Sequence, residues 1–169
     1  MQSESARVTT AAQSRYRISD PNAKPRLVKV IALDEASERV IQRLARSVWN
    51  QASFLSASAF NALHKNNRFT MKGWLSDLAG RTKDLIDEIE TADLVVMIVS
   101  AGENAQAASI IGETCHLRSI TTTALIMQSA SVSDDALSRT LAQLRPWALM
   151  LVIANNDDYV DDMLTALRA

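Results

Sequence analysis

Five short runs that contain several apolar residues recur along the chain between segments of more polar character. Four of them are rich in Val, Ile or Leu, and the run at 53–58, Ser-Phe-Leu-Ser-Ala-Ser, is the most polar. A run that is apolar at nearly every position is typical of a strand buried on both faces of a sheet. We therefore predict buried strands at residues 27–33, 53–58, 93–100, 120–127 and 147–153.

The segments between these strands repeat apolar residues every three to four positions, which is the spacing of one face of an α-helix. After the first strand, for example, Val40, Leu44 and Val48 fall on one such face. Residues 61–70 are polar and are predicted to form a loop, with a weak helical signal at 62–64. Further helices are predicted at 74–92, with a break at Gly80, and at 104–118, 134–144 and 160–167.

Alternation of buried strands with helices is typical of a parallel sheet covered by helices on both faces. We predict a three-layer, doubly wound, Rossmann-like α/β domain over residues 27–169, with a mainly parallel sheet of about five strands. Residues 1–26 lack this pattern, and the first 29 residues hold six basic side chains against two acidic ones. They are predicted to be a flexible basic tail.

Composition excludes several classes of protein. The formal net charge is −1, so the chain lacks the basic surface of a nucleic-acid-binding protein. Its longest apolar runs are far shorter than the roughly 20 residues of a membrane span. Cys115 is the single cysteine, which excludes an internal disulfide and a cysteine-based zinc cluster. We expect a cytoplasmic protein with neither nucleic-acid nor membrane partners.

Candidate ligand-binding residues follow from the predicted fold, because doubly wound sheets bind ligands beyond the carboxyl ends of their strands. The turn after the first strand carries two carboxylates, and the turns after the third and last strands carry further acids and amides. The candidates are Asp34 and Glu35, then Ser100, Gly102, Glu103 and Asn104, and finally Asn155, Asn156 and Asp157.

The chemistry of these turns disfavours phosphate. No glycine follows the first strand, where Asp34 and Glu35 either favour a helix N-terminus or form a site for a cation. Gly102 lies between a strand and a helix, where backbone amides can bind an anion, but Glu103 stands beside it. Like charges about 4 Å apart cost on the order of 4 kcal/mol at an effective dielectric near 20. No cofactor and no bound metal are expected.

Residues 91–102, with the run Ala-Asp-Leu-Val in a strong strand, and residues 151–157, which end in Asn-Asn-Asp, carry a family resemblance. Together with the segments between residues 28 and 163, in their order and apolar pattern, they resemble the amino-terminal GTPase domain of the bacterial cell-division protein FtsZ, a relative of tubulin. The resemblance implies a Rossmann-like fold. The family's glycine-rich phosphate loops would fall on 34–38 and 103–109, which contain no glycine.

Two functional hypotheses follow. The first is a degenerate, non-catalytic FtsZ/tubulin-like domain that acts through protein contacts or self-association and does not hydrolyse GTP. The second is a protein or enzyme that binds a small molecule or nucleotide in the crevice beside the candidate residues. A deep pocket where these turns converge would favour the second hypothesis, and a filled or flat surface would favour the first.

Overall fold

The structure, a computed structural model, describes residues 25–60 and 75–169. The predicted tail up to residue 24 and the predicted loop at 61–70 lie outside the described residues. The described strands are β1 (Val28–Ala32), β2 (Ala52–Ser56), β3 (Leu75–Asp77), β4 (Thr82–Lys83), β5 (Leu94–Ser100), β6 (Thr121–Met127) and β7 (Met150–Ala154). The described helices are α1 (Glu35–Leu44), α2 (Leu85–Glu90), α3 (Ala107–Leu117), α4 (Asp134–Leu144) and α5 (Asp158–Ala166).

The seven strands form one sheet in the order β4-β3-β2-β1-β5-β6-β7. Strands β2, β1, β5, β6 and β7 are parallel, whereas β3 and β4 add an antiparallel edge beside β2. The α/β class and the mainly parallel sheet are therefore confirmed, and the sheet has two more strands than predicted. The chain leaves β1 toward β2 and later returns on the other side to β5, so the strand order reverses between β1 and β5.

Two apolar clusters cover the two faces of this sheet. Alternate residues of β5 point to opposite sides, as the pleat requires: Leu94, Val96 and Ile98 pack with α1 and α5. Val95, Met97 and Val99 pack with α2, α3 and α4 on the other face. Central strands are thus buried on both sides, which explains their nearly uninterrupted apolar sequences. None of the described helices is long and apolar enough to span a membrane.

Within the described residues, the predicted helix at 74–92 is wrong from residue 75 to residue 84. Strands β3 and β4 occupy this stretch, and a helix begins only at Leu85. The carboxylate of Asp77 accepts hydrogen bonds from the amides of Ala79 and Arg81, and Gly80 has φ +76°. The Arg81 hydrogen bond also holds the pKa of Asp77 below its usual value. This local turn competes with the helix, because Asp and Gly stabilise tight turns.

The first helix ends four residues earlier than its apolar spacing predicted. Helix α1 stops at Leu44, whose carbonyl oxygen accepts a hydrogen bond of 2.7 Å from the indole of Trp49. Val48, which we placed on the buried helix face, is instead 99% exposed. An indole N–H satisfies a free carbonyl at the helix end and so favours the early turn. Trp49 also lies beside Phe54, with 6.3 Å between ring centroids.

The remaining elements match the sequence pattern with shifts of a few residues at their ends. Helix α3 begins at Ala107 rather than 104, because the side chain of Asn104 accepts a hydrogen bond from the Gln106 amide and forms a turn. Strand β7 begins at Met150 rather than 147, because the amides of Trp147 and Ala148 donate to the Leu144 carbonyl. Helix α4 has the predicted bounds.

The contact between α3 and Trp147 generates a stability prediction. A Cβ atom added at Gly112 would lie 2.9 Å from Cγ of Trp147 and still closer to its Cβ. Gly112→Ala should therefore lower the free energy of unfolding by about 1–2 kcal/mol, despite the better helix propensity of alanine. Urea denaturation measures the change. Glu113→Ala, an exposed neighbour on the same helix, is the control, and equal stability of the two variants would contradict this packing.

Candidate functional site

The candidate site lies where the strand order reverses. Strands β1 and β5 are neighbours in parallel register, with Ala32 beside Ile98, so that Asp34 and Ser100 meet at the carboxyl edge of the sheet. Helix α1 leaves from this point toward one face, and the chain after β5 continues to α3 on the other face. The connections diverge and leave a depression between them, as is general in doubly wound sheets.

The side chain of Asp34 lies buried between the start of α1 and the end of β5. Its carboxylate caps α1 by accepting hydrogen bonds from the amides of Ala36 and Ser37 and from the Ser37 hydroxyl. It also accepts one of 2.9 Å from the amide of Ser100. The side chain is buried, with 6% exposure. Of the two interpretations that the sequence left open, helix capping is the one observed for Asp34.

Four of the candidate residues line one cleft of about 650 Å³ beyond the strand ends. They are Ser100, Glu103, Asn155 and Asp157, which come from the end of β5, the loop that follows it and the turn after β7. The cleft also has an apolar part, to which Val40 and Val132 contribute. Its remaining lining residues were not among our candidates: Ala36, Ala101, Met127, Gln128, Ser129 and Ala130.

The turn after β6 could have been included from the sequence alone. Gln128 and Ser129 directly follow a predicted strand, so the strand-end argument applies to them as it does to Ser100. They also line a smaller cleft of about 340 Å³ with Ala130 and Asn155. By contrast, the contributions of Val40 and Val132 depend on how helices pack over the edge, which carries no local signal in the sequence.

The other four exposed candidates lie elsewhere. Glu35 lines a separate depression of about 310 Å³ between α1 and Ser58. Asn156 caps the start of α5 by accepting a hydrogen bond from the amide of Tyr159. Gly102 and Asn104 belong to the loop that follows β5 but do not line the large cleft. The structure thus brings together about half of the candidate set.

The loop after β5 uses its own amides for internal hydrogen bonds. The amide of Gly102 donates to the hydroxyl of Thr140 at 3.0 Å, and that of Ala105 donates to the side-chain oxygen of Gln143 at 2.7 Å. The amides of Ala101, Glu103 and Gln106 donate to Met127 O, Ser100 O and Asn104 Oδ1. A phosphate cradle needs several amides that point together at the ligand. Here five amides of the loop already have acceptors.

Gly102 itself has a conformational role. Its φ of +89° lies in the region that residues with a Cβ rarely adopt. A Cβ there would approach that of Ala136 on α4 to 3.4 Å, an ordinary to close contact. The glycine therefore lets the loop turn onto α4, where the side chains of Thr140 and Gln143 accept hydrogen bonds from the loop amides.

Acidic residues at the last strand end are engaged by an arginine from α1. Arg43 donates to the backbone oxygen of Asp157 and to the carboxylate of Asp161, both at 3.1 Å. This contact ties α1 to the start of α5 and partly neutralises the acidic run. In the part of the chain that the structure describes, no three His, Cys, Asp or Glu side chains are arranged to hold a metal ion.

Cys115 and His116 adjoin in α3 but face different surroundings. Cys115 is fully buried in the core, whereas His116 is exposed. Burial raises the pKa of the Cys115 thiol to about 12, against a small opposing effect of Arg118. The pair is not a nucleophile and its base, because a nucleophilic thiol needs a lowered pKa and access to substrate.

Comparison with known proteins adds no family assignment. No protein-family model matches the chain, and no curated protein sequence matches it either.

The junction at Asp34 yields a second stability prediction. Asp34→Ala removes the α1 cap and leaves the Ser100 amide without its acceptor, so we expect the free energy of unfolding to fall by about 3 kcal/mol. Urea denaturation followed by circular dichroism gives the value. Glu35→Ala changes the adjacent exposed carboxylate and should shift stability by no more than about 0.5 kcal/mol. A loss below about 1 kcal/mol for Asp34→Ala would contradict the role of Asp34 in joining α1 to the end of β5.

The buried thiol yields a chemical prediction. A pKa of about 12 leaves roughly one thiolate in ten thousand at pH 8, and the side chain is inaccessible. Ellman's reagent should react with the folded protein at least about 1,000-fold more slowly than with the urea-unfolded chain. Since Cys115 is the single cysteine, the absorbance reports this site alone. Rapid stoichiometric reaction in native buffer would contradict its burial.

Proposed function

We propose that this chain is a non-catalytic α/β domain that acts through protein contacts and does not hydrolyse GTP. The observation that carries the proposal is the set of internal hydrogen bonds made by the loop after β5. The side-chain oxygens of Thr140 and Gln143 on α4 accept hydrogen bonds from the amides of Gly102 and Ala105. These two amides occupy the position where a phosphate-binding loop would present free donors.

The charge of the cleft supports the same proposal. Of the described residues that line it, Glu103 and Asp157 are acidic and none is Lys or Arg. A nucleoside triphosphate would bring several negative charges to a cleft whose lining holds no Lys or Arg. Arg43, which lies nearby, already pairs with Asp157 and Asp161. Each close like-charge contact of about 4 Å costs on the order of 4 kcal/mol at an effective dielectric near 20.

The relationship to the FtsZ and tubulin family is part of this proposal. Its support is the sequence resemblance of residues 28–163 together with the mainly parallel sheet. Strand β5 begins within the run at 92–95, and β7 leads into Asn155–Asp157. On this proposal the chain keeps a strand framework while its loops have lost the residues that contact nucleotide.

A second candidate function rests on the cleft itself. A volume of about 650 Å³ lies within the range of small-molecule sites. Its polar lining, including Ser100, Gln128 and Asn155, offers uncharged hydrogen-bonding groups beside two carboxylates. This chemistry suits a neutral or cationic small molecule rather than a nucleotide.

A thermal-shift measurement tests the first proposal. A nucleotide at about 100 times its dissociation constant adds roughly 2.7 kcal/mol, which raises the Tm of a chain of this size by several degrees. We expect GTP and GDP, with Mg²⁺, to change the Tm by less than about 1 °C, because the loop amides have internal acceptors. A shift of several degrees with a guanine nucleotide would overturn the proposal.

Glu103→Gln is the matched control. It removes the charge beside Gly102 and keeps the side-chain shape, so it separates electrostatic exclusion from occupied amides. We expect no nucleotide-induced shift in this variant either. The same assay with neutral and cationic compounds addresses the second candidate: a shift that Ser129→Trp abolishes by filling the cleft would favour small-molecule binding.

A further inference from the structure

The two edges of the sheet differ in how they are protected. Strand β4, at one edge, has two residues and is preceded by Arg81, which forms an ion pair of 2.7 Å with Asp77. Lys83 within β4 lies 3.9 Å from Glu88. A short strand with charged side chains is a common way to prevent edge-to-edge association. This edge is poorly suited to pairing with another strand.

Strand β7, at the other edge, has none of these features. Residues 147–154 contain no charged residue and no proline or glycine. Leu149 is 83% exposed, and Met150 and Ile153 are each 41% exposed. Of the described strands, β6 alone pairs with β7. An apolar strand with an open edge offers main-chain hydrogen bonds and apolar contacts to a further strand.

Charges at the two ends of β7 indicate which strand fits. Arg145 is exposed shortly before the strand, and Asp158 is exposed shortly after it, next to Asp157, which pairs with Arg43. Val152 lies midway between these oppositely charged ends. A two-fold axis near Val152 would place the basic end of one strand beside the acidic end of an identical strand. A second copy of the chain is therefore complementary to this edge in charge as well as in apolar character.

We propose that β7 pairs antiparallel with β7 of a second copy, joining the two sheets into one continuous sheet across a two-fold axis. This inference rests on the proposed function, which includes self-association. It goes further by naming the contact surface and the partner. A single strand pair is a small interface of the kind found in weak association, so we expect a dissociation constant in the micromolar range.

Sedimentation equilibrium of the full chain, from about 1 to 200 µM, brackets that dissociation constant. The unmodified chain should change from monomer to dimer across this range. Ile153→Lys places a charge on the paired edge and should raise the dissociation constant at least about tenfold. Val48→Lys is the matched control, since Val48 is 99% exposed and lies shortly before β2, which is separated from β7 in the sheet by β1, β5 and β6. It should leave the dissociation constant unchanged.

A charge exchange tests the antiparallel register. Arg145→Asp and Asp158→Arg should each weaken the dimer about three- to tenfold, because each places like charges at both ends of the interface. The double variant restores opposite charges and should recover most of the affinity. Circular dichroism confirms that each variant is folded. If the double variant raises the dissociation constant by the product of the two single-variant factors, the two charges do not interact, and the proposed register is overturned.

Three results would overturn the proposal. A monomer at all concentrations whose β7 amides exchange slowly with deuterium would mean that the chain covers its own edge. A monomer with rapidly exchanging β7 amides would leave the edge unpaired. A dimer that Ile153→Lys does not weaken would use another surface. None of these results bears on nucleotide binding, so the thermal-shift assay can fail or succeed independently.

Discussion

The junction between β1, α1 and β5 depends on one buried carboxylate. Asp34 caps the helix that follows β1 and, through the Ser100 amide, also fixes the end of the neighbouring strand β5. The strand order reverses at this point, so the connections on either side run to opposite faces of the sheet. A side chain that binds both connections sets the position of the cleft above it. A buried carboxylate is stable there because four donors compensate its lost hydration.

The loop after β5 is also held by hydrogen bonds between backbone amides and side-chain oxygens, in this case from α4. Its amides need partners once α4 covers them, and Thr140 and Gln143 supply oxygen acceptors from that helix. Gly102 permits the left-handed turn that brings the loop onto α4. A loop whose amides donate to its own protein has few donors left for an anion. This use of the amides is the basis of the proposal that the edge does not bind phosphate.

Much of the fold could be predicted from sequence because the parallel strands are buried on both faces, which forces apolar residues at nearly every position. The hairpin of β3 and β4 could not, because its residues Leu75–Asp77 and Thr82–Lys83 are too few to show a period and the turn at Asp77 outweighs helix propensity. The strand-end rule located Ser100, Glu103, Asn155 and Asp157, yet it could not separate them from Glu35 or Asn156, which face elsewhere. Thr140 and Gln143 carry no local signal at all.

The central strands have a neighbouring strand on each side, whereas the outer strands β4 and β7 have one on a single side within the described sheet. Main-chain groups on the other side of each outer strand are available for pairing. At the β4 edge, antiparallel extension, short length and charge limit further pairing. At β7, residues 145–149 connect α4 to the strand and residues 155–157 connect the strand to α5. The nearby charged residues, Arg145, Asp157 and Asp158, lie in or next to these connections and not along the strand. Apolar residues such as Leu151 and Val152 are needed on both faces to contact the two core clusters. The packing requirement therefore conflicts with charge-based protection of this edge, and pairing with an identical strand satisfies both its main-chain groups and its apolar side chains.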